Sequence, residues 1–478
     1  MKKSIKQTLM SGAMMLAMGS MFTSCDDILG EWSKPTPVTP EPKTAGTISY
    51  AETSFLKGSL DPAFTNPLTM TGDGTVSYES SNTAVASVDA TGKVTITGPG
   101  TTTIKAKVSD TDATTYATNE AAYTLEVLEG CSFMKWDDTA KKLVSAIETN
   151  YQEVSSSTSS TMIWDGSKVL VVKDADVEIT SDIYLSGDTK IILCDGAKLT
   201  TKTINGYLST NYCSLTIYGQ SAQTGQLITQ PSASSKGFYE ISELNIHGGV
   251  ISANGNTGVT LQGGSQALNV YGGKLTARGT SFKGIQDCKA INILGGAVEA
   301  YGVSGFDGIY ILGGSIITVS NDGRLKAVGG DGTTVGGGYG INGALVAKDN
   351  AVVEVFGGHA TSGDLEGGSA IIGGNVEIRD NASVTLIAGN SSGTKDGVNA
   401  NPNNVYYYGG TLIAIGGAKG DSGTKDGKGI GHILTNSSGG TIYYATNTDG
   451  SLTDFSNPTA VTTGASVNPT TRGVKVYK

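Results

Sequence analysis

The sequence predicts an all-β chain in which a small β-sandwich is followed by a parallel β-helix, and three observations carry that prediction. In the second half, short strands with apolar side chains at alternate positions run into paired glycines. Examples are Leu244-Asn245-Ile246-His247-Gly248-Gly249-Val250, Leu268-Asn269-Val270-Tyr271-Gly272-Gly273, Ile291-Asn292-Ile293-Leu294-Gly295-Gly296 and Ile309-Tyr310-Ile311-Leu312-Gly313-Gly314. Alternation marks a strand with one buried face, and a glycine pair permits a turn or bulge that a Cβ would obstruct. The steps from Gly248 to Gly272, Gly295 and Gly313 are 24, 23 and 18 residues, a spacing at which a short motif signals a solenoid. Upstream, from Thr47 to Leu128, short alternating strands are separated by turn clusters without such a repeat, which reads as a sandwich. Glycine, 68 of 478 residues, is enriched without a collagen period and belongs to turns.

Taken in order, the chain opens with Lys2, Lys3 and Lys6, an apolar stretch from Leu9 to Phe22, and Thr23-Ser24-Cys25. Residues 1–24 read as a secretory signal and not as a membrane span. The tail Phe22-Thr23-Ser24-Cys25 resembles a bacterial lipoprotein processing box, with Phe22 where Leu is more usual. That resemblance implies cleavage before Cys25 and lipid attachment to it, hence anchorage in the outer membrane. Asp26-Asp27 resembles the acidic signal that sends lipoproteins of gut Bacteroidetes to the outer face of that membrane. Loss of residues 1–24 removes three lysines and no acids, leaving 30 basic and 43 acidic residues. This balance disfavours nucleic acid and anionic membrane surfaces as partners. No other apolar run is long enough to span a bilayer. Residues 25–46, with Pro35, Pro37, Pro40 and Pro42, form an extended linker.

In residues 47–129 the stretch Ser80-Ser81-Asn82-Thr83-Ala84-Val85-Ala86-Ser87-Val88-Asp89, followed by Thr91-Gly92-Lys93-Val94 and Gly100-Thr101, resembles bacterial Ig-like domains of group 2. The resemblance implies a spacer in a surface protein, with an adhesin module as the less usual role. Residues 130–162 read as a linker with a capping helix: Asp137 and Asp138 precede Leu143, Val144, Ile147 and Tyr151 at helical spacing. A helix laid over the first rung would cover the open end of a solenoid.

Residues 163–478 form the β-helix domain, of about 10–13 rungs at a period of roughly 24–30 residues. The unit Ile-x-Ile-x-Gly-Gly-x-Val-x-Ala, with Gly-Ile following as in Gly284-Ile285 and Gly308-Ile309, resembles right-handed β-helices of pectate-lyase shape. It is similar in particular to carbohydrate-binding β-helix proteins of gut and cellulolytic bacteria. The resemblance implies binding of acidic polysaccharide with calcium and no strong catalysis.

No catalytic residues are assigned. Asn447-Thr448-Asp449, Gly431-His432-Ile433 and Arg324-Leu325-Lys326 match polygalacturonase fragments in the wrong order, and no arginine sits in a lyase-like motif. His247, His359 and His432 read as exposed turn residues. Cys131, Cys194, Cys213 and Cys288 carry no C-x-x-C spacing, so a zinc site is not expected. Cys194 and Cys213 lie about one rung apart and are read as two buried thiols, with a bridge as the alternative.

The candidate ligand face comes from a repeated hexapeptide. Ser392-Gly393-Thr394-Lys395-Asp396-Gly397 recurs as Ser422-Gly423-Thr424-Lys425-Asp426-Gly427, about one rung plus a loop later, so both copies should stack at one edge. Lys395, Asp396, Asp421, Lys425 and Asp426 are the ligand candidates there, with Asp396, Asp421 and Asp426 as oxygen donors to calcium. Tyr406 and Tyr408 add aromatic faces suited to sugar rings, while Tyr407 points the other way. The resulting reading is a surface lipoprotein whose β-helix binds carbohydrate or another surface ligand. A polysaccharide lyase or glycosidase and a protein-binding adhesin are the alternatives.

Overall fold

A computed structural model describes residues 43–44, 46–109, 116–401 and 403–478; Cys25 and the leader expected over residues 1–24 lie outside them. Among the described residues there is no helix, and the chain is all-β. The first domain packs a four-stranded sheet, in the order Ser54–Gly58, Asn119–Leu128, Gly100–Val108 and Val76–Ser80, against a three-stranded sheet of Phe64–Thr65, Lys93–Ile96 and Ala86–Val88. Alternation along Asn119–Leu128 sends Tyr123, Leu125 and Val127 inward onto Ile104, Val94 and Val85, as expected for strands with one buried face.

The second domain is a parallel β-helix with three faces. Pairing begins at Tyr151–Glu153 on Val169–Val172, upstream of the expected start at 163. On the first face one inward column runs Leu215, Leu244, Leu268, Ile291, Ile317, Leu345, Val376, Val405 and Leu434, each in register with the next. All nine are fully buried, and each such side chain contributes about 1.5–3 kcal/mol. The second face stacks ten parallel strands from Val177–Glu178 to Thr411–Ile415. The third carries Met162–Trp164, Ile183–Leu185, Ile204–Asn205, Phe238–Ile241 and Val259–Leu261. Beyond these, the long strands Ile285–Ile293, Ile309–Val319, Ile341–Ala347 and Ile371–Ile378 bend from the third face onto the first.

The first three Gly-Gly units sit at the corner between the first and second faces, where Gly249 holds φ +87°, a left-handed conformation suited to glycine. The fourth unit does not. Ile291 continues into Ile317, not Ile311, and Gly313-Gly314 turns between the third and first faces. Ile246, Val270, Ile293 and Ile311 are nevertheless all buried. At the far end the parallel order stops: Thr411–Ile415 pairs antiparallel with Gly473–Tyr477, and Leu434–Asn436 antiparallel with Ser466–Val467.

The expected helix over 143–151 is instead a hairpin, Cys131–Asp137 paired with Lys142–Glu148. Asp137 does accept two backbone N–H groups, from Thr139 and Ala140, but in a turn, where the same side-chain chemistry serves as well as in a helix cap. The hairpin straps the outside of the first face. Phe133 packs on Tyr218 and Trp136 on Tyr271, so tertiary aromatic contacts outweigh a weak helical pattern.

At its root the hairpin joins the two domains. Asp61, from the first domain, is buried and accepts hydrogen bonds from the N–H of Gly58 and Ser132, the Ser132 hydroxyl and the Gln220 amide. A buried carboxylate needs such partners. The four described cysteines are free and buried, and the near neighbour of Cys194 is Cys131, at 3.5 Å between sulfurs.

Candidate ligand-binding faces

The two hexapeptide copies do stack, at the corner between the second and third faces. Four excursions, 329–340, 357–370, 388–400 and 416–430, leave the second face and return, forming a fin. Their glycine limbs bond by turns within a loop and to the next: Gly338 N–H to Gly330 O and Gly368 to Gly358 within loops, Gly358 to Gly338 and Gly389 to Gly368 between them, at 2.8–2.9 Å. A Cβ on Gly368 would fall 1.9 Å from the carbonyl oxygen of Gly338, so backbones approach where no side chain fits. Near its outer rim, carboxylates tie successive loops. Asp331 accepts the His359 N–H, Asp364 the Thr394 N–H, and Asp396 the N–H groups of Thr424 and Lys425 plus the Thr424 hydroxyl. Those bonds, with the Thr424 N–H first, hold the Asp396 carboxyl below its ordinary range.

Asp396 is thus occupied in holding the next loop, and Asp426 accepts the Lys419 N–H. Asp421, Asp426 and Lys425 are exposed and Lys395 half-buried. Among the described residues no group of three or more His, Cys, Asp or Glu side chains is gathered as a metal centre.

Tyr406 and Tyr408 lie elsewhere, outward on the first face, with Tyr407 inside and its hydroxyl donating to Gly410 O. Tyr408 stacks under Arg379, 4.2 Å from guanidinium carbon to ring centre, and Arg379 pairs with Glu377 at 2.7 Å. Both line an open cleft of about 790 Å³ with Asp380, Asn381, Ser437 and Tyr477. The fin carboxylates do not line it, so the predicted loop and tyrosine groups form two separate surfaces.

His359 and His432 are exposed, but His247 is not the exposed turn residue expected. Its ring stacks between Tyr218 and Tyr271, at 4.9 and 4.4 Å, and accepts the Trp136 N–H at 3.0 Å. Burial pushes its pKa from 6.5 down to about 4, so it is neutral in the folded chain near pH 7.

A third surface was not anticipated. On the third face Tyr184, Asn205 and Tyr239 occupy one outward column on successive rungs. They line a cleft of about 350 Å³ with Asp182, Thr203, Ser234, Ser235 and Lys236. Lys236 lies 3.9 Å above the Tyr239 ring, and burial lowers its pKa. Tyr239 is pushed up to about 12, first by its hydrogen bond to Glu240. A small hairpin, Tyr207–Leu208 with Asn211–Tyr212, borders the site, its two tyrosine rings 4.7 Å apart. The steps from Tyr184 to Asn205 and from Asn205 to Tyr239 are 21 and 34 residues, too unequal for a periodic reading to align.

Comparison with known proteins locates one part of the chain. Residues 68–114 match the family model described as Intimin, immunoglobulin-like domain. Over 83 residues the chain is 34% identical to Intimin of Escherichia coli O157:H7, a match covering 17% of this chain and 9% of that protein. No solved structure matches the chain. The molecule is therefore an Ig-like domain, matched over residues 68–114, followed by a repetitive β-solenoid.

Proposed function

We propose that this chain is a non-catalytic surface adhesin, exported through its leader, anchored through lipid on Cys25, and presenting the β-helix to a glycan or protein on another surface. The observation that carries the reading is the pairing of an Intimin-like Ig module with a long solenoid through a buried joint. Asp61 of the first domain bonds to Ser132 and Gln220, and the strap that carries Ser132 packs through Phe133 and Trp136 on the β-helix. A joint ordered in this way presents its far faces without the ordering cost of a flexible linker. In this reading the fin, with Lys395, Lys425, Asp421 and Asp426 at its exposed loops, supplies polar rim contacts, and calcium bridging to an acidic partner is one route to attachment.

The test is adherence of cells displaying the full chain to glycan-coated and protein-coated surfaces, beside cells displaying Cys25→Ala. Retention of wild-type chain on the cells with specific adherence, and loss of fatty-acid labelling and retention in the variant, is expected. Absence of adherence to every surface, or release of reducing ends or unsaturated sugars from a polysaccharide, would overturn the reading.

A further inference from the structure

We infer that the tyrosine cleft on the third face is a binding site for an uncharged glycan, with Tyr184 and Tyr239 as stacking platforms and Asn205, Asp182 and Lys236 as the polar groups that orient it. The inference deepens the adhesin reading by naming one site and its ligand class.

The arrangement has three parts. Tyr184 and Tyr239 stand in one column with Asn205 between them, so their positions are two strand spacings, about 9.6 Å, apart. A chain of pyranose rings laid along the solenoid axis meets the Tyr184 ring, the Asn205 amide and the Tyr239 ring with Lys236 over it in turn. The C–H face of a sugar packs on an aromatic ring, and its hydroxyls need both donors and acceptors. Asn205 offers an amide, Asp182 a carboxylate, Lys236 an ammonium, and Ser234 and Ser235 hydroxyls. Thr203, 6% exposed, lines the same cleft, and its hydroxyl has no hydrogen-bond partner. The volume, about 350 Å³, lies at the small end of the range for ligand pockets, suited to a short glycan segment.

Charge selects the class. Lys236 is the one cation lining the cleft, has no carboxylate within ion-pairing distance among the described residues, and lies over Tyr239. Asp182 lines the same cleft, and Glu240 and Asp287 act on Lys236 electrostatically. Within the lining the Asp182 carboxylate balances the Lys236 ammonium, so the cleft offers a uronic acid no net attraction and suits a neutral hexose. The backbone on both sides is held in an uncommon conformation, with Glu240 at φ 53° and Ser209 at φ 65°. Such non-glycine residues cost free energy and cluster at functional sites.

The experiment titrates the full chain, by calorimetry, with cello-, malto- and manno-oligosaccharides and, in separate arms, with polygalacturonate and alginate oligosaccharides. Binding of a neutral series is expected, weakened about tenfold or more by Tyr239→Ala and by Tyr184→Ala. Tyr239→Phe, which keeps the ring, should stay within a few-fold of wild type, and Glu120→Ala, exposed on the first domain, should leave binding unchanged. Melting temperatures of the variants establish that they are folded. Neutral binding untouched by both alanine variants, equal loss in Tyr239→Phe and Tyr239→Ala, or binding confined to the acidic arms would each overturn the proposal. The adhesin reading fails separately, through absence of adherence by displaying cells; adherence that survives Tyr184→Ala with Tyr239→Ala would sink the cleft alone.

Discussion

The rungs from Leu215 to Tyr301 and those from Arg324 to Ile430 share one apolar interior but reinforce it by different means. In the earlier rungs side chains do the work outside the core: Asn269 bonds to Asn245 and Asn292 to Asn269, and Tyr218, His247 and Tyr271 stack under the strap. In the later rungs the backbone packs on itself, and the glycine limbs of the fin leave no room for side chains. Outside the core the first region therefore relies on side-chain atoms and the second on backbone contacts, while added atoms are excluded in both: a Cβ would meet the Gly249 carbonyl at Gly273 and the Gly338 carbonyl at Gly368.

The largest effect should come from Ile246→Ala, which empties a fully buried position in the shared interior and should cost about 2–5 kcal/mol in denaturant unfolding. A loss below 1 kcal/mol would mean that the rungs collapse around the gap. Adding a methyl with Gly368→Ala comes next: the clash is with the Gly338 carbonyl, which belongs to the neighbouring loop and cannot rotate away. About 1–3 kcal/mol is expected, together with faster amide exchange across the fin. Unchanged exchange there would show that the limbs are loosely held.

The strap supplies a pH-dependent difference. His247 has its pKa lowered from 6.5 to about 4 by burial. Between those values the unfolded chain takes up a proton that the folded chain refuses, so stability falls as pH drops through 6.5 toward 4, and this group adds no slope above that window. Melting curves of wild type and His247→Gln across pH 4–8 should diverge in slope only in the acidic half; parallel curves would place the ring in solvent. The smallest effect is expected at Gly313→Ala, where an added Cβ meets nothing within 4 Å, and a change within about 0.5 kcal/mol should follow. A large loss there would show that corner glycines matter for more than space.

Much of this was legible from the residues. Alternation in Leu244–Ile246 and Leu268–Val270 exposes a parallel stack because the same columns recur at nearly constant steps. Phase was lost at Ile309–Gly314, since a strand running into two glycines looks alike at either of two corners. Leu143, Val144 and Ile147 satisfy a helical period over too few residues to exclude a strand, and their partners Trp136, Lys135 and Ser132 were invisible without pairing. The fin has no alternation to read, because its limbs are fixed by backbone bonds instead of a buried face. The identical hexapeptides marked its outer loops correctly as neighbours, yet Tyr406 and Tyr408, near in sequence, face away on another side. The Tyr184–Tyr239 cleft was missed because the loops between its residues differ in length.

The antiparallel closure at the far end bears on how such molecules crowd together. A parallel stack that simply stopped would present a row of free N–H and C=O groups, a template for another chain. Here Gly473–Tyr477 lies over the last parallel strand of the second face, Ile442–Asn447 pairs with it in turn, and the outermost strand of that sheet, Ser456–Val461, includes Pro458, which offers no N–H. Copies packed densely on one surface would thus be discouraged from fusing tip to tip into filaments and would meet flank to flank, leaving each tip a separate point of contact.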